Sequence, residues 1–465
     1  ILFVIVLIFA MLLIHIFAVQ ARFDNTMKNT AKNFMFYVAF VASLGGLLFG
    51  FDTAVISGAE KSIQVVYDLS DFSHGFTIAI ALIGTIIGAF VCSKPVEKHG
   101  RLKALKIIAF LYFVSAVGSA AIIDWYSFLF FRFAGGLAVG ASSVVGPMYI
   151  AEISPSRWRG RFVAFFQFNI VLGIVLAYFS NYWIHGIAHD WQWMLGVEAI
   201  PAIAFALLLY TVPESPRWLV KQDREAEARH VIKKVSNADI EQEIHEIKES
   251  LVTIGASGEK LFQHKYRKPI LYAFLIATFN QLSGINAILY YAPRIFEMSG
   301  VFTDSAMMQS IVIGLTNLTF TMIGMILIDQ VGRKKLLYIG SIGMTLSLAL
   351  VAKGFYQDAF SGYYMLICLM GFIAFFAISL GAVIWVLISE VFPNNVRSKG
   401  QVLGSMTHWV WSALLSWMFP VFIRTGGTFI FSFFAIMMFL SFFFALRLPE
   451  TKNKSLEQIQ KELTN

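Results

Sequence analysis

Residues 311–328 read IVIGLTNLTFTMIGMILI and contain no charged side chain. A helix of about 20 apolar residues crosses the hydrocarbon core of a bilayer, which is roughly 30 Å thick. The apolar and polar residues do not alternate as they do in a membrane β-barrel, and only helices or closed barrels satisfy their backbone hydrogen bonds in lipid. The segment therefore predicts a membrane-spanning helix.

Eleven other segments have the same apolar character, and a long polar break divides the twelve into two groups of six. We expect the first six spans near residues 34–56, 76–94, 105–123, 125–150, 163–184 and 192–212. We expect the second six near residues 270–292, 307–328, 336–353, 363–388, 402–423 and 428–447. The prediction is an all-α membrane protein with twelve transmembrane helices in two pseudo-symmetric six-helix bundles.

The composition of the chain agrees with this prediction. A soluble chain of 465 residues would form about three domains, but only 14% of the residues are charged and 58% are hydrophobic. Soluble proteins have about 25% and roughly 45–50%. The net charge of +8 does not indicate a nucleic-acid partner, because Lys and Arg gather in loops between the spans. The expected surroundings are a lipid bilayer.

Clusters of basic residues mark one side of the predicted bundles. They follow spans two, four, eight and ten, at residues 94–106, 157–161, 333–335 and 397–399. The opposite loops carry only the scattered cations Lys61, Arg294, Lys353 and Arg424. The positive-inside rule makes the clustered side cytoplasmic. We therefore expect a monomeric multi-pass protein of the cell (inner) membrane, with both ends of the twelve-helix unit in the cytoplasm.

Three regions lie outside the two bundles, which we place at residues 34–212 and 270–447. Residues 213–269 have apolar positions at helical spacing among charges, which predicts short cytoplasmic amphipathic helices; a solvated linker is the alternative. Residues 448–465 are expected to form a cytoplasmic tail. Residues 1–26 precede Met27 and are interpreted as an upstream extension without function, or as an extra anchor or signal-like segment.

Three short motifs occur in both halves of the chain. They are Glu-x-x-Pro-x-x-x-Arg (152–159 and 390–397), Gly-Arg (100–101 and 332–333) and Pro-Glu-Ser/Thr (213–215 and 449–451). Their offsets are 238, 232 and 236 residues, so they describe one internal duplication. Such repeats are typical of secondary transporters, which hold their substrate near the bilayer midplane between the halves.

The acids and guanidinium groups in and beside these repeats can form bidentate pairs. We expect such pairs to join the two halves, to hold the cytoplasmic side shut and to break when it opens. The alternative is that these charges only mark helix ends and obey the positive-inside rule. The residues of this predicted cytoplasmic gate are Arg101, Glu152, Arg161, Arg333, Glu390 and Arg397.

Several long motifs resemble those of the sugar porter family of the major facilitator superfamily. They include GFDTAVISGA (50–59), RFAGGLAVG (132–140), PMYIAEISPSRWRGR (147–161), QLSGINAILYYAP (281–293) and WVLISEVFPNNVR (385–397). Within this family the chain most resembles the bacterial D-xylose/proton symporters. The resemblance implies the major facilitator fold and alternating access, with either proton-coupled symport or passive facilitation.

Asp52 is the first candidate for a functional residue, because it lies within the first span. A carboxylate near the bilayer centre costs at least about 2.5–3.5 kcal/mol, so it is a functional hypothesis by default. The resemblance implies that Asp52 carries the proton and pairs with Arg132, and that passive facilitators lack the acid. A static ion pair or a water-filled vestibule is the alternative. Glu198 in the sixth span is expected either to take part in proton coupling or to form a structural hydrogen bond.

A sugar needs several oriented hydrogen bonds and an apolar surface for its C–H face. The resemblance places Gln167, Gln281, Asn286, Asn317 and Trp385 at sugar-contacting positions. Phe49, Tyr290 and Trp409 are expected to form walls. Asn280 and His408 stand where the symporters usually have Gln, and we expect them to contact the sugar as well. The alternative for each amide is a hydrogen bond that holds helices together in lipid.

The sequence thus predicts an importer that carries a monosaccharide with a proton, with xylose preferred and other pentoses or hexoses as alternatives. A passive uniporter with the same pocket is the nearest rival, and a membrane sugar sensor is a third reading. We expect no enzyme, cofactor or metal site, because the sequence has no His/Cys metal spacing or phosphate-binding glycine loop, and both Cys92 and Cys368 lie in apolar segments.

Overall fold

The computed structural model describes residues 29–155, 158–235, 240–254, 259–358, 360, 362–393, 395–452, 454 and 458–459. Every regular element in these ranges is helical. The predicted extension at residues 1–26 lies outside the described residues, as does the end of the tail after residue 459.

Twelve helices in the described part of the chain are long and apolar enough to cross a membrane, which confirms the predicted number. Spans 1 to 6 are Asn33–Val66, Asp71–Val91, Arg101–Ala121, Trp125–Ile153, Arg159–Ile184 and Asp190–Leu208. Spans 7 to 12 are His264–Tyr290, Thr303–Val331, Arg333–Gln357, Tyr364–Glu390, Arg397–Ile423 and Gly427–Arg447. The helix of span 1 itself begins at Asn29.

Three of the spans are interrupted, and each interruption lies close to a candidate site residue. Span 6 consists of Asp190–Gly196 and Ala199–Leu208, with Glu198 between them. Span 7 consists of a short 3₁₀ turn, the helix Arg267–Leu282 and the helix Ile285–Tyr290. Span 10 contains a π-helical segment at Ala377–Gly381. Interruptions of this kind expose backbone groups where a transporter lines a cavity.

Gly284 makes the break in span 7. Its φ angle is +83°, a left-handed conformation that side chains other than glycine rarely adopt. A Cβ atom at this position would lie 2.5 Å from the ring of Phe434, so there is also no space for a side chain. The break places Gln281 and Asn286 on two separate helices.

The two halves contact each other through two symmetry-related pairs of helices. Span 2 packs against span 11, and span 5 packs against span 8. The internal repeat relates span 2 to span 8 and span 11 to span 5. It therefore relates one pair of helices to the other. The contact between spans 2 and 11 is close, because a Cβ atom on Gly75 would lie 1.8 Å from the carbonyl oxygen of Trp417. The internal repeat seen in the sequence is thus a repeat in packing.

Short helices connect the spans. Ser93–His99 links spans 2 and 3, and Ala292–Met298 follows span 7. The segment between the halves contains Pro216–Lys221, Glu225–Val235 and Ile240–Ile254, which confirms the predicted amphipathic helices. The helix Glu225–Val235 buries its apolar face and contacts the helix of span 1. This segment is therefore packed rather than a solvated linker.

Large apolar side chains cover the outside of the spans. Phe90, Phe110, Phe130, Leu207 and Ile326 are all exposed at the protein surface. Exposed apolar area on this scale marks a surface that meets another apolar phase. The outside of the bundles is therefore suited to lipid, and polar chemistry is confined to the interior and to the two membrane faces.

Candidate substrate and proton site

A cavity lies between the two halves, near the middle of the spans. The empty space within it is about 300 Å³, which includes open solvent at its mouth. Spans 1, 2, 4, 7 and 11 line it. Five of the predicted site residues are among the lining side chains, namely Phe49, Asp52, Arg132, Tyr290 and Trp409.

Asp52 and Arg132 form an ion pair in the wall of this cavity. The Nη1 atom of Arg132 donates to Oδ1 of Asp52 at 2.5 Å, and each residue is only 3% exposed. Charge-assisted hydrogen bonds are the stronger kind, but a buried ion pair loses much of this gain through desolvation. The pair is therefore a poor source of stability, and its position on the cavity gives it access to a proton or a substrate.

Glu198 adds a second carboxyl group to this pair. It is 2% exposed and interacts with both Asp52 and Arg132. Its Oε1 atom and the Nε atom of Arg132 have no hydrogen-bond partner within the described residues. Two carboxylates beside one guanidinium carry a net charge of −1, and one bound proton makes the group neutral. Because an uncompensated buried charge is unfavourable, one bound proton would balance the charge of this cluster.

Buried hydroxyl groups surround the charged cluster, and sequence reasoning missed them. Tyr112 interacts with Asp52 and Glu198, and its buried hydroxyl lies near that of Ser142. A Cβ atom on Gly135 would lie 2.3 Å from Ser115 Oγ and 3.8 Å from Asp52 Oδ1, so Ser115 is close to the acid. A tyrosine and a serine inside an apolar span were the available sequence signal.

The amides of span 7 form a hydrogen-bonded group next to the cavity. Gln281 donates through Nε2 to Asn280 Oδ1 at 2.9 Å, and Asn286 donates through Nδ2 to Gln281 Oε1 at 3.0 Å. Asn286 also donates to Ser412 Oγ of span 11 at 2.7 Å, and Asn280 donates to the carbonyl of Leu380 at 3.1 Å. The break at Gly284 allows Gln281 and Asn286 to meet.

His408 and three aromatic rings connect these amides to the cavity. Gln281 Nε2 lies 3.2 Å from each ring nitrogen of His408. The His408 ring centroid is 5.0 Å from that of Trp385 and 4.9 Å from that of Trp409. Trp409 in turn lies 5.8 Å from Phe49 in the other half. The charged cluster of Asp52 and Arg132 therefore lies on one side of Trp409, and the amides of span 7 lie on the other.

Two predicted site residues lie outside this chain of contacts. Gln167 is half-buried in span 5. Asn317 is buried in span 8, where its Oδ1 atom accepts a hydrogen bond of 3.3 Å from Thr321 on the next helical turn. Their sugar-binding role remains a prediction from the resemblance.

The membrane face with the clustered cations, called the basic face below, carries the same network twice. Arg101 pairs with both oxygens of Glu152 at 2.7 Å, and Ser215 Oγ donates to Glu152 Oε2 at 2.6 Å. In the second half, Arg333 Nη2 donates to Glu390 Oε1 at 3.0 Å, and Thr451 Oγ1 donates to Glu390 Oε2 at 2.6 Å. The three repeated motifs are thus three parts of one network.

A second acid completes each copy of the network. The backbone N–H of Arg101 donates to Glu214 Oε1 at 3.1 Å, and the N–H of Arg333 donates to Glu450 Oε1 at 3.1 Å. Burial raises the pKa of Glu214, and the backbone donors at Ser215, Leu102 and Arg101 oppose this rise. Each acid thereby occupies the N-terminus of a span, where the helix dipole favours a negative charge.

The predicted pairs across the two halves, which were expected to break when this side opens, do not occur among the described residues in this conformation. Arg101–Glu152 lies within the first half and Arg333–Glu390 within the second. Arg161 lies over the ring of its near neighbour Trp158 at 4.8 Å. Arg397 donates to the carbonyl of Phe392 at 3.4 Å. The acid and base of each repeat are close together within their own copy, so they brace each half.

Ion pairs between the two halves occur instead at the opposite face. Arg294 contacts Glu60 at 2.9 Å, and Arg424 contacts Asp71 at 2.7 Å. Lys61 also pairs with Glu297. Sequence reasoning treated the cations in these loops as scattered charges, because the acids that pair with them lie elsewhere in the chain. In this conformation the opposite face is closed.

Comparisons with known proteins agree with this architecture. The family model described as "Sugar (and other) transporter" matches residues 38–463. The D-xylose-proton symporter of Escherichia coli (strain K12) is 37% identical over 478 residues, covering 94% of this chain and 96% of the relative. The arabinose-proton symporter of Bacillus subtilis (strain 168) is 36% identical, covering 93% and 96%.

A solved structure has the same fold. The inward-open conformation of the xylose transporter XylE from E. coli matches with a TM-score of 0.82 and 36% identity, covering 92% of this chain and 99% of that one. The expected major facilitator fold is confirmed. The chain therefore belongs to the family of sugar (and other) transporters, the sugar porters of the major facilitator superfamily.

Proposed function

We propose that this protein imports a monosaccharide together with a proton across the cytoplasmic membrane. One observation carries the proposal: the buried Asp52–Arg132 pair, with Glu198 beside it, lines the same cavity as the aromatic walls Phe49 and Trp409. The names of the xylose-proton and arabinose-proton symporters among its relatives support both the sugar and the proton.

The proton acts through the charge balance of the cluster. When Asp52 takes up a proton, its hold on Arg132 weakens, and the net charge of the cluster rises from −1 to zero. A neutral cluster can pass through the closed intermediate of the cycle more easily than a charged one. One charge that moves down 100 mV provides about 2.3 kcal/mol, which supports on the order of fifty-fold accumulation of sugar.

The sugar is held by the amides and the aromatic side chains. Gln281 and Asn286 offer donors and acceptors to vicinal hydroxyl groups, with His408 and the shorter Asn280 adjusting the fit. Trp385, Trp409, Tyr290 and Phe49 provide apolar surface, and Gln167 and Asn317 reach the sugar from the other helices. Xylose is the preferred substrate, and arabinose or a hexose is the alternative.

The basic face is proposed to be cytoplasmic, with the ends of the twelve-helix unit on that side. The opposite face is closed by the ion pairs between the halves, so the cavity would open to the cytoplasm, as in the inward-open relative. The working units are two bundles at residues 34–212 and 270–447, joined by residues 213–269 and followed by the tail 448–465. The basic-face residues act as a gate by keeping each bundle rigid while the bundles rock in a monomer.

Uptake into proteoliposomes tests the proposal. Labelled pentoses and hexoses are offered with and without an imposed pH gradient, and we expect accumulation above equilibrium only with the gradient. Asp52→Asn should abolish this accumulation but retain counterflow of the sugar. A passive uniporter would not respond to the gradient or to Asp52→Asn. Gln281→Ala is the control for a pocket that cannot bind sugar.

A further inference from the structure

A second buried cluster of titratable groups lies at the opposite face, away from the central cavity. Glu60 belongs to span 1 and is 1% exposed. His74 belongs to span 2 and has no exposed surface. Arg294 belongs to the short helix Ala292–Met298 after span 7, in the other half of the protein. The residues of this cluster are separate from Asp52, Arg132 and Glu198.

The two carboxylate oxygens of Glu60 have partners in different halves. Oε2 lies 2.7 Å from Nε2 of His74 within the first half. Oε1 lies 2.9 Å from Nε of Arg294 in the second half. Arg294 also donates through Nη2 to Gln64 Oε1 at 2.5 Å. Opening this face must separate Arg294 from Glu60, but it leaves the Glu60–His74 contact intact.

Two further ion pairs and a tyrosine ring lie near the cluster. Lys61, next to Glu60 in span 1, pairs with Glu297 of the helix that carries Arg294. Asp71 in the first turn of span 2 pairs with Arg424 at 2.7 Å. The Tyr291 ring lies 6.1 Å from the His74 ring. Both ion pairs are balanced in charge while the face is closed. When it opens, the half-exposed Lys61 and the buried His74 are the basic residues of the first half that stay beside Glu60.

We propose that Glu60 and His74 form a second proton-binding site, at which a proton and Arg294 compete for the Glu60 carboxylate. A carboxylate as buried as this one needs a compensating positive charge. Arg294 supplies the charge when the face is closed. When the face opens and Arg294 leaves, an imidazolium at His74 supplies it instead.

The hydrogen bonding of His74 favours a neutral ring in the closed form. The neutral ring donates from Nε2 to Glu60, and its Nδ1 atom is buried without a hydrogen-bond partner among the described residues. In the closed form a protonated ring would place a second cation beside a carboxylate that already binds Arg294, and in the open form Arg294 no longer competes with it. The open form therefore binds the proton more tightly, and by linkage a lower pH favours the open form.

This site goes beyond the proposed transport function, because it would make the opening of one face depend on the pH of the solution that bathes it. If that face is extracellular, external protons promote the conformation that receives substrate. The effect requires no sugar and no pH gradient, so it can be measured separately from transport.

Distance measurements between spin labels test the proposal. The background is Cys92→Ser/Cys368→Ser, and the labels are attached at Val65→Cys and Phe302→Cys, which are 79% and 86% exposed on the two halves of this face. The protein is held in lipid nanodiscs between about pH 8 and pH 5, the range in which histidine titrates. We expect the ratio of the long-distance to the short-distance population to rise about tenfold as the pH falls over this range.

His74→Gln should remove this pH dependence, because the amide can still donate to Glu60 but does not titrate. Glu60→Gln should populate the long distance at every pH, since it removes the charge that holds Arg294. If His74→Gln does not fold, Glu60→Gln is the variant that tests the proposal. His189→Asn is the control, because His189 is an exposed histidine of the same face and Asn tolerates its left-handed backbone.

His185 is the rival source of any pH effect, because it lies 3.5 Å from Asp304 of the other half. If His74→Gln keeps the full pH response, or if His185→Gln abolishes it, the proposal is overturned. A distance distribution that does not change with pH in the parent protein would overturn it as well.

Discussion

Asp52 and Arg132 are 80 residues apart in the chain, yet their side chains meet at 2.5 Å on the wall of the central cavity. Glu198 lies beside them on the interruption of span 6. The three residues form a group whose charge balance changes with a single proton. This arrangement leads to the first prediction.

Glu198→Gln should abolish accumulation driven by a pH gradient while it leaves sugar exchange in place. The amide makes the cluster neutral with Asp52 ionised, so the cluster no longer gains by binding a proton. Proteoliposome uptake with and without a gradient measures this. Glu198→Asp keeps a titratable group and should retain part of the coupling; equal accumulation by the Gln variant and the parent would assign Glu198 a purely structural role.

His408→Ala should weaken sugar binding by about 0.5–1.5 kcal/mol, or roughly two- to twelve-fold in Kd, through the loss of one neutral hydrogen bond. His408→Gln should restore most of the affinity, because an amide can also contact Gln281 and a hydroxyl group. Isothermal titration with several pentoses and hexoses measures both variants. An unchanged Kd for every sugar in His408→Ala would exclude a contact with the substrate.

Gly284→Ala should reduce both thermal stability and sugar affinity. The left-handed backbone costs a side chain about 1–2 kcal/mol, and the contact with Phe434 adds to this. Gly300→Ala is a matched control, since it has the same φ of +83° but open space around the new Cβ atom. We expect the control to lower Tm modestly and to leave sugar affinity unchanged, whereas a similar loss of affinity in both variants would contradict the prediction.

Glu152→Gln and Glu390→Gln should lower the free energy of unfolding by similar amounts, about 1.5–3 kcal/mol each, because each acid accepts a charged hydrogen bond in an equivalent network. Chemical unfolding in detergent measures the loss. Glu97→Gln is the control, because its carboxylate is 67% exposed and lies 3.7 Å from Lys221. A large effect of one variant and none of the other would mean that the two copies are not equivalent.

The spans were predictable from sequence because lipid imposes a constraint that acts along the chain. A membrane-spanning helix such as Thr303–Val331 needs a continuous apolar stretch of about 20 residues, and this stretch can be recognised without knowing what packs around it. The interruption at Gly284 was predictable for a similar local reason. Both features depend on residues that are close together in the sequence.

Pairings between distant charges were not predictable in the same way. The repeated spacing of Glu152 and Glu390 indicated that acids and bases belong together, but it did not tell which partner each acid takes. An acid and a base that are duplicated together can satisfy each other within each copy, as Arg101–Glu152 and Arg333–Glu390 do. The Glu60–Arg294 pair joins residues from different halves that no repeated motif contains, so it was visible only in three dimensions.

The duplicated network on the basic face has a mechanical consequence. Each half is held together at the basic face by charged hydrogen bonds between the ends of its own helices. We expect each half to tilt as a stiff body about its contacts with the other half. This stiffness would allow the binding of a single proton at the central cluster to displace the ends of the helices at the membrane face.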